Sequence, residues 1–316
     1  MRIFANTNYD FIKWRWHALI LSIVLIWGGV ASIYFKGGVP LGIEFTGGTE
    51  VILKFQQPVG EDAVRKAVDP ISNEAVVQQY GPPQEHTIIV RLPQMKGAEQ
   101  GDALEADSKR VEDAIRAANL GPFEPSKNII GPVMGKDYQR KGIWATVAAL
   151  GGMLIYVAFR FRFSFAVGAI VASFHDILIT MVFLTWFGYD LSLNIIAGLL
   201  TITGYSVNDT IVVFDRVREN QRQMRREPLD QIVNKSVNQT LGRTVITSGT
   251  TLLAVLSLYL FGGEVLRGFA FTMVVGVLTG TYSTVFIAAS IAIILSRRTA
   301  VTQVQARPRQ TKAKRA

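Results

Sequence analysis

Six stretches of this chain, 17–35, 141–159, 163–187, 191–214, 243–262 and 266–295, are apolar over a length that few soluble folds can hide. A hydrocarbon core about 30 Å thick is crossed by about 20 residues of helix. Apolar residues gathered into blocks, rather than scattered, mark lipid as the solvent. The sequence therefore predicts six transmembrane helices. The first follows Lys13 and Arg15 as a secretory signal would, but no convincing cleavage site follows it, so it reads as a retained anchor.

The formal net charge of +9 would suggest nucleic acid in a soluble chain. Its placement gives another reading. Arg160 and Arg162 occupy one tight turn, and Arg216, Arg218, Arg222, Arg225, Arg226, Lys235 and Arg243 lie in a loop expected over 215–243. The N-terminus and the tail 296–316 are basic as well, whereas the turns at 188–190 and 263–265 carry no basic residue. Basic residues in short loops mark the cytoplasmic side. Both termini are expected there, and the long segment 36–140 on the opposite, extracytoplasmic side. The basic tail is expected to lie against anionic lipid or to be disordered, with nucleic acid not expected as a partner. The absence of cysteine and the presence of only three histidines argue against a disulfide or a metal site, and no cofactor is expected.

Within 36–140, residues 49–56, 75–80 and 87–92 read as strands, 61–69 and 103–119 as amphipathic helices, and Ile129-Ile130 as a last apolar piece. Turn signals fall at Gly81-Pro82-Pro83 and Gly131-Pro132. The order β-α-β-β-α-β is the split βαβ, ferredoxin-like pattern, which hosts many functions. The organisation is thus 1–35 for the N-terminus and first span, 36–140 for a small external α+β domain, 141–295 for five further spans, and 296–316 for the tail.

Polar residues inside the spans are the candidates for function. Asp209 lies in span 191–214 with Thr201, Thr203, Tyr205, Ser206, Asn208 and Thr210. At 100° per residue Gly198, Ile202, Tyr205 and Asp209 share one stripe, expected to face the bundle, with Gly198 and Gly204 allowing close helix contact. A carboxylate in lipid costs about 2.5–3.5 kcal/mol on insertion scales. Asp209 is either a fixed helix-packing residue or a proton carrier, and intramembrane ionisable groups favour the carrier. Arg243 opens the fifth span at a depth from which it could reach Asp209, or it is an ordinary snorkelling arginine. The hydroxyls after it, Thr244, Thr247, Ser248, Thr250 and Thr251, can hold a water wire or bond between helices. His175 and Asp176, adjacent in span 163–187, point to proton transfer or to fixed interhelical bonds, and a neighbouring pair is not expected to share a face. Gly276 and Gly280 form a packing surface.

Several of these stretches resemble the SecF family. Residues 41–49 (Leu-Gly-Ile-Glu-Phe-Thr-Gly-Gly-Thr) are similar to the glycine-pair segment that enters the first external domain of SecD and SecF. Residues 204–216 (Gly-Tyr-Ser-Val-Asn-Asp-Thr-Ile-Val-Val-Phe-Asp-Arg) resemble the fourth-helix signature, 241–244 the start of the fifth helix, and Phe174-His175-Asp176 the third-helix motif. The resemblance covers nearly the whole chain. It implies half of a twelve-helix unit of the resistance-nodulation-division superfamily, the other half being SecD. It further implies a protein-export role with preprotein substrates, the SecYEG channel and YajC as partners, and use of the proton-motive force after SecA-driven insertion. It places Asp209 and Arg243 on the proton path, while His175, Asp176, Ser206, Asn208 and Thr247 remain candidates for that path or for packing. Gly47 and Gly48, with Gly37 and Gly38, are candidate hinges at the domain junction.

The rival readings are a proton-coupled exporter of lipids or small molecules, which usually carries both halves in one chain, and a passive scaffold in which Asp209 only fixes packing. An enzyme is not expected. Residues 131–137 (Gly-Pro-Val-Met-Gly-Lys-Asp) resemble a phosphate-binding loop but are one residue short and lack its hydroxyl residue.

Overall fold

The computed structural model describes residues 7–35, 37–46, 48–72, 75–80, 83–92, 101–130 and 132–306. Gly47, Gly81, Pro82, Gly131 and the tail beyond 306 lie outside the described residues. Helix α1 (Arg15–Phe35) leads through a short helix, α2 (Ile43–Thr46), into a domain of β1 (Gly48–Phe55), α3 (Glu61–Val68), β2 (Val76–Gln79), β3 (Thr87–Leu92), α4 (Gly101–Ala117) and β4 (Phe123–Ile130). There follow α5 (Pro132–Arg160), α6 (Phe163–Trp186), α7 (Leu193–Gln223), α8 (Leu229–Phe261), α9 (Gly263–Ser283), a π-helical turn (Thr284–Ala288) and α10 (Ala289–Ala306). Residues 132–137 of the near-match to a phosphate loop form the start of α5, in helix, and Gly131 lies outside the described residues.

Six helical stretches are long and apolar enough to cross a membrane: Ile12–Phe35, Arg140–Arg160, Phe163–Trp186, Leu193–Gln223, Leu229–Phe261 and Leu266–Arg297. The third, fourth and sixth form the centre of the bundle, with half or more of their apolar windows buried; the other three bury under a fifth and face outward. Close packing at the centre depends on small residues. A Cβ at Gly276 would overlap the Ile202 side chain, one at Gly280 would meet Ser206 Oγ at 3.2 Å, and one at Gly198 would meet Thr272 Cγ2 at 2.9 Å. Gly204 differs from expectation: it has open space, with only Met153 Cε at 3.9 Å.

The segment expected as a loop over 215–243 is a helical hairpin. Helices α7 and α8 run on past the apolar blocks and turn only at 224–228, where Pro228 caps α8 in an extended conformation. Val213 and Val217 pack with Ile232, Val233 and Val237, and the Asn220 amide donates to Ser236 Oγ and Gln239 Oε1 at 2.8 Å each. The hairpin also holds the start of the chain. Asn234 Oδ1 accepts from the Phe11 N–H and Asn238 Oδ1 from the Tyr9 N–H, both at 2.9 Å, while Asp230 pairs with Arg15 and Arg297.

The sheet order is β2-β3-β1-β4, antiparallel throughout, which with the crossing helices is the expected ferredoxin-like arrangement. One face, with Val51, Leu53, Phe55, Ile88, Val90 and Leu92, is covered by Val64 and Val68 of α3 and Val111 and Ile115 of α4. The other face lies on the bundle, which explains why β1 and β3 lack the apolar–polar alternation of a half-exposed sheet. There Arg91 pairs with Asp190, in the α6–α7 turn, and with Glu50 at 2.9 Å. Gln78 donates to Asp190 at 2.8 Å, Tyr80 meets Tyr189 edge-on, and Glu85 pairs with Arg267 of α9. The connector before β1 is pinned to the same turn, the Gly42 N–H donating to Leu191 O at 2.9 Å and the Leu191 N–H to Pro40 O at 2.8 Å. Gly37 and Gly38 just before it have φ of 87° and 121°, and Gly48 has φ of 123°, all in the region that favours glycine.

Candidate functional site

Two carboxylates are buried between the spans, and α7 connects them. Asp176, on α6, is 0% exposed. Its Oδ2 accepts from Ser206 Oγ of α7 at 2.5 Å and from Ser283 Oγ of α9 at 2.8 Å, and its Oδ1 lies 3.0 Å from His175 Nδ1. The imidazole continues the network, with Nε2 2.9 Å from Ser22 Oγ of α1, which lies 3.1 Å from the Tyr282 hydroxyl. Tyr282 stacks on the His175 ring and donates to Ala18 O at 2.7 Å. Adjacent residues of one helix thus join one network, because the imidazole folds back beside its neighbour. Both carboxylate oxygens are occupied, as a group removed from water requires.

Asp209 sits one turn after Ser206 on α7 and is 7% exposed. Its Oδ1 accepts from Thr244 Oγ1 of α8 at 2.8 Å, and its Oδ2 has no hydrogen-bond partner among the described residues. Next to it the Thr210 and Thr284 hydroxyls bond at 2.9 Å, joining α7 to the π-helical turn. A π turn inside a long helix recurs at functional sites. Here it follows directly on Ser283, the Asp176 ligand.

The Asp209 contact is made by Thr244, not by Arg243. A helix turns 100° per residue, so these neighbours on α8 point in different directions. Thr244 is buried against α7, whereas Arg243 is exposed on the outer face and forms no ion pair with Asp209. Asn208, Thr247 and Thr250 are exposed too, and the two threonines bond back to their own helix at Arg243 O and Ile246 O. Ser248 instead bonds between helices, accepting from Tyr205 at 3.1 Å and lying 2.7 Å from Thr281 Oγ1. The expected stripe on α7 is confirmed, Gly198, Ile202 and Asp209 being buried and Tyr205 half-buried.

Of the sequence candidates, the fold therefore joins His175, Asp176 and Ser206 in one network, holds Asp209 beside it, and leaves Arg243, Asn208 and Thr247 on an outward face. Sequence reasoning missed Ser22, Tyr282 and Ser283. The run Thr281-Tyr282-Ser283-Thr284 inside an apolar span was the available signal for two of these partners. Among the described residues no group of histidines and carboxylates could hold a metal ion.

Comparison with known proteins bears on this arrangement. The family described as protein export membrane protein SecD/SecF, C-terminal, matches residues 111–298, and the SecD/SecF GG motif matches 35–59. The protein translocase subunit SecF of Rhodothermus marinus is 41% identical over 95% of this chain and 97% of its own length. That of Escherichia coli O157:H7 is 39% identical over 92% and 88%. The crystal structure of SecDF, a translocon-associated membrane protein from Thermus thermophilus, superposes with a TM-score of 0.79 at 34% identity, over 93% of this chain but 39% of that longer one. On a family match over residues 111–298 and on SecF relatives matched over more than nine-tenths of its length, the chain belongs to the SecD/SecF family of protein export membrane proteins and, within it, to the SecF protein translocase subunits.

Proposed function

We propose that this chain pairs with a SecD subunit to form a twelve-helix proton-driven unit that promotes preprotein translocation after SecA has driven insertion through SecYEG. The SecDF structure it resembles is more than twice its length, which leaves room for the second half. The observation that carries the reading is Asp209: a carboxylate buried in a span, held through one oxygen by Thr244 and unpartnered at the other. Arg243, Asn208, Thr247 and Thr250 lie on the outward faces of α7 and α8 within apolar spans. Polar groups facing lipid are costly, so this face suits a partner helix bundle rather than hydrocarbon.

In this reading Asp209 takes up and releases the proton. When it is ionised, Arg243 is drawn toward it; when it is protonated that attraction is lost, and α8 is free to shift against α7. One charge crossing 100 mV supplies about 2.3 kcal/mol, enough to bias a two-state bundle severalfold. Asp176, whose two oxygens are already saturated, acts as a fixed anchor that holds α6, α7 and the π turn together. The membrane is the bacterial inner membrane, with the basic α7–α8 hairpin and both termini cytoplasmic and 36–140 periplasmic. The rule of basic short loops supports that orientation.

The test is proton flux and energised export in inverted vesicles containing this chain and its SecD partner, with Asp209→Asn as the variant. Asparagine still accepts the Thr244 bond, so assembly is expected to survive while flux and the proton-dependent part of export are lost. Unchanged flux and export would leave Asp209 as a packing residue in a passive scaffold.

A further inference from the structure

At the end of the bundle that carries the α7–α8 hairpin, the α5–α6 turn and the side of α7 enclose a cavity of about 290 Å³. Its walls include Arg160, Arg162 and Arg218, and its floor Phe161, Phe165 and Phe214. The floor is built by packing: Phe165 and Phe161 both meet Phe214 edge-on, with ring centroids 5.0 and 5.8 Å apart. Arg160 is fixed by Asp215 Oδ1 and Oδ2 at 2.9 and 2.6 Å, and its guanidinium lies over the Phe161 ring. Arg162 and Arg218 are exposed, with no carboxylate partner among the described residues. Three guanidiniums thus face one carboxylate, and positive charge is in excess.

Two further observations define what would fill this space. The cavity borders the start of the 24-residue helix α6 at its N-cap Arg162 and at Phe165, and the helix has no side-chain cap and no acidic residue in its first turn. The Phe165 and Ala166 N–H groups already donate to Arg162 O, so this helix start adds the positive end of its dipole to the arginines. Phe159 and Phe163, on either side of the turn, are 88% and 77% exposed. Exposed phenylalanines at the ends of two apolar spans suit contact with lipid, which puts the cavity beside the expected edge of the bilayer.

We propose that this cavity binds the phosphodiester headgroup of an anionic glycerophospholipid. Arg162, Arg218 and the start of α6 hold the phosphate, and Arg160, oriented by Asp215, supplies the third charge. The phenylalanine floor takes the glycerol and the first acyl carbons. Guanidinium suits the role because its planar fork meets phosphate oxygens in pairs.

The experiment is native mass spectrometry of the full chain, delipidated in detergent and titrated with phosphatidylglycerol, phosphatidylcholine or inorganic phosphate. The expected result is one phosphatidylglycerol retained per chain in preference to phosphatidylcholine. Arg162→Gln and Arg218→Gln should each weaken retention about fivefold, the typical weight of one basic residue at an anionic surface. Arg140→Gln, at the opposite end of α5, should not change it. Should the glutamine variants fail to fold, Arg162→Lys and Arg218→Lys are read instead, with a smaller loss expected because charge is kept and the fork is lost. Equal retention of phosphatidylcholine, or unchanged retention in the Arg162→Gln and Arg218→Gln variants, would overturn the proposal. So would inorganic phosphate competing at equal concentration, since that marks a free-anion site rather than a lipid site.

Discussion

Thr244 donates its hydroxyl to Asp209 Oδ1 at 2.8 Å across the α7–α8 contact, while the residue before it, Arg243, faces out of the chain. The neutral residue therefore holds the carboxylate, and the charged one is left to meet it only by movement or through a partner. Replacing Thr244 by valine keeps shape and removes the donor. Leaving a buried acceptor unsatisfied costs about 1–3 kcal/mol. The variant should unfold at lower temperature in detergent, and Asp209→Asn combined with it should recover little of that loss. A melting point equal to wild type would show that the bond is not maintained.

Among the contacts that hold the external domain to the bundle, one arginine sits at the centre of a buried ionic cluster. Arg91 reaches both Glu50 and Asp190, and all three are nearly buried. Removing one partner of a buried ionic cluster typically costs about 3–5 kcal/mol, because the others are left uncompensated. Arg91→Ala should release the sheet from the 188–190 turn, seen as faster hydrogen exchange at both. Glu50→Gln should do much less, since Arg91 keeps Asp190. Equal effects of the two variants would count against Arg91 as the shared tie.

Glu44 lies beside this cluster. Burial, then the charge of Glu50, raises its carboxyl above the ordinary value of 4.5, with its own backbone N–H and Arg91 pulling the other way. The folded junction consequently binds a proton more tightly than the unfolded chain does. The stability this group contributes is fully present below its unfolded pKa and is lost as pH rises through the higher folded one. Resistance of the junction to proteolysis should therefore fall as pH is raised through that window. Glu44→Gln should flatten this part of the profile, and an identical profile in the variant would remove Glu44 as its source.

Gly276 and Ile202 test the central packing. A side chain at Gly276 would overlap Ile202, so Gly276→Val should cost about 1–3 kcal/mol as an overpacked core does. Ile202→Ala alone leaves a cavity. The double variant should be more stable than the sum of the two losses implies, read by thermal melting, and simple additivity would mean that the helices move apart instead.

Apolar length and charge placement were enough to read six spans and, with turn signals, the order of the external domain. The hairpin of α7 and α8 was not legible because its stability comes from facing residues. Val217 and Val233 are too sparse to form an apolar block, and Asn220 looks like a loop residue until Ser236 and Gln239 are placed opposite it. Asp209 and Asp176 stood out because carboxylates in apolar segments are costly. Ser22 and Ser283 did not, because single hydroxyls are common in such helices and usually bond to their own backbone, as Thr203 and Thr272 do here. Distinguishing Thr244 from Arg243 required the rotation of α8 about its axis, which its neighbours set and its own sequence does not.

The strand β4 ends at Ile130 and helix α5 begins at Pro132, so a single residue separates the sheet from a 29-residue rod through the bilayer. On the other side, the sheet is tied by Arg91 to the turn joining the two central spans. A body that continues almost directly into one span and is pinned at the corner between two others follows the spans that hold it. A tilt of the central spans would then turn the domain with them as a crank turns with its axle, carrying its far edge through the longest arc.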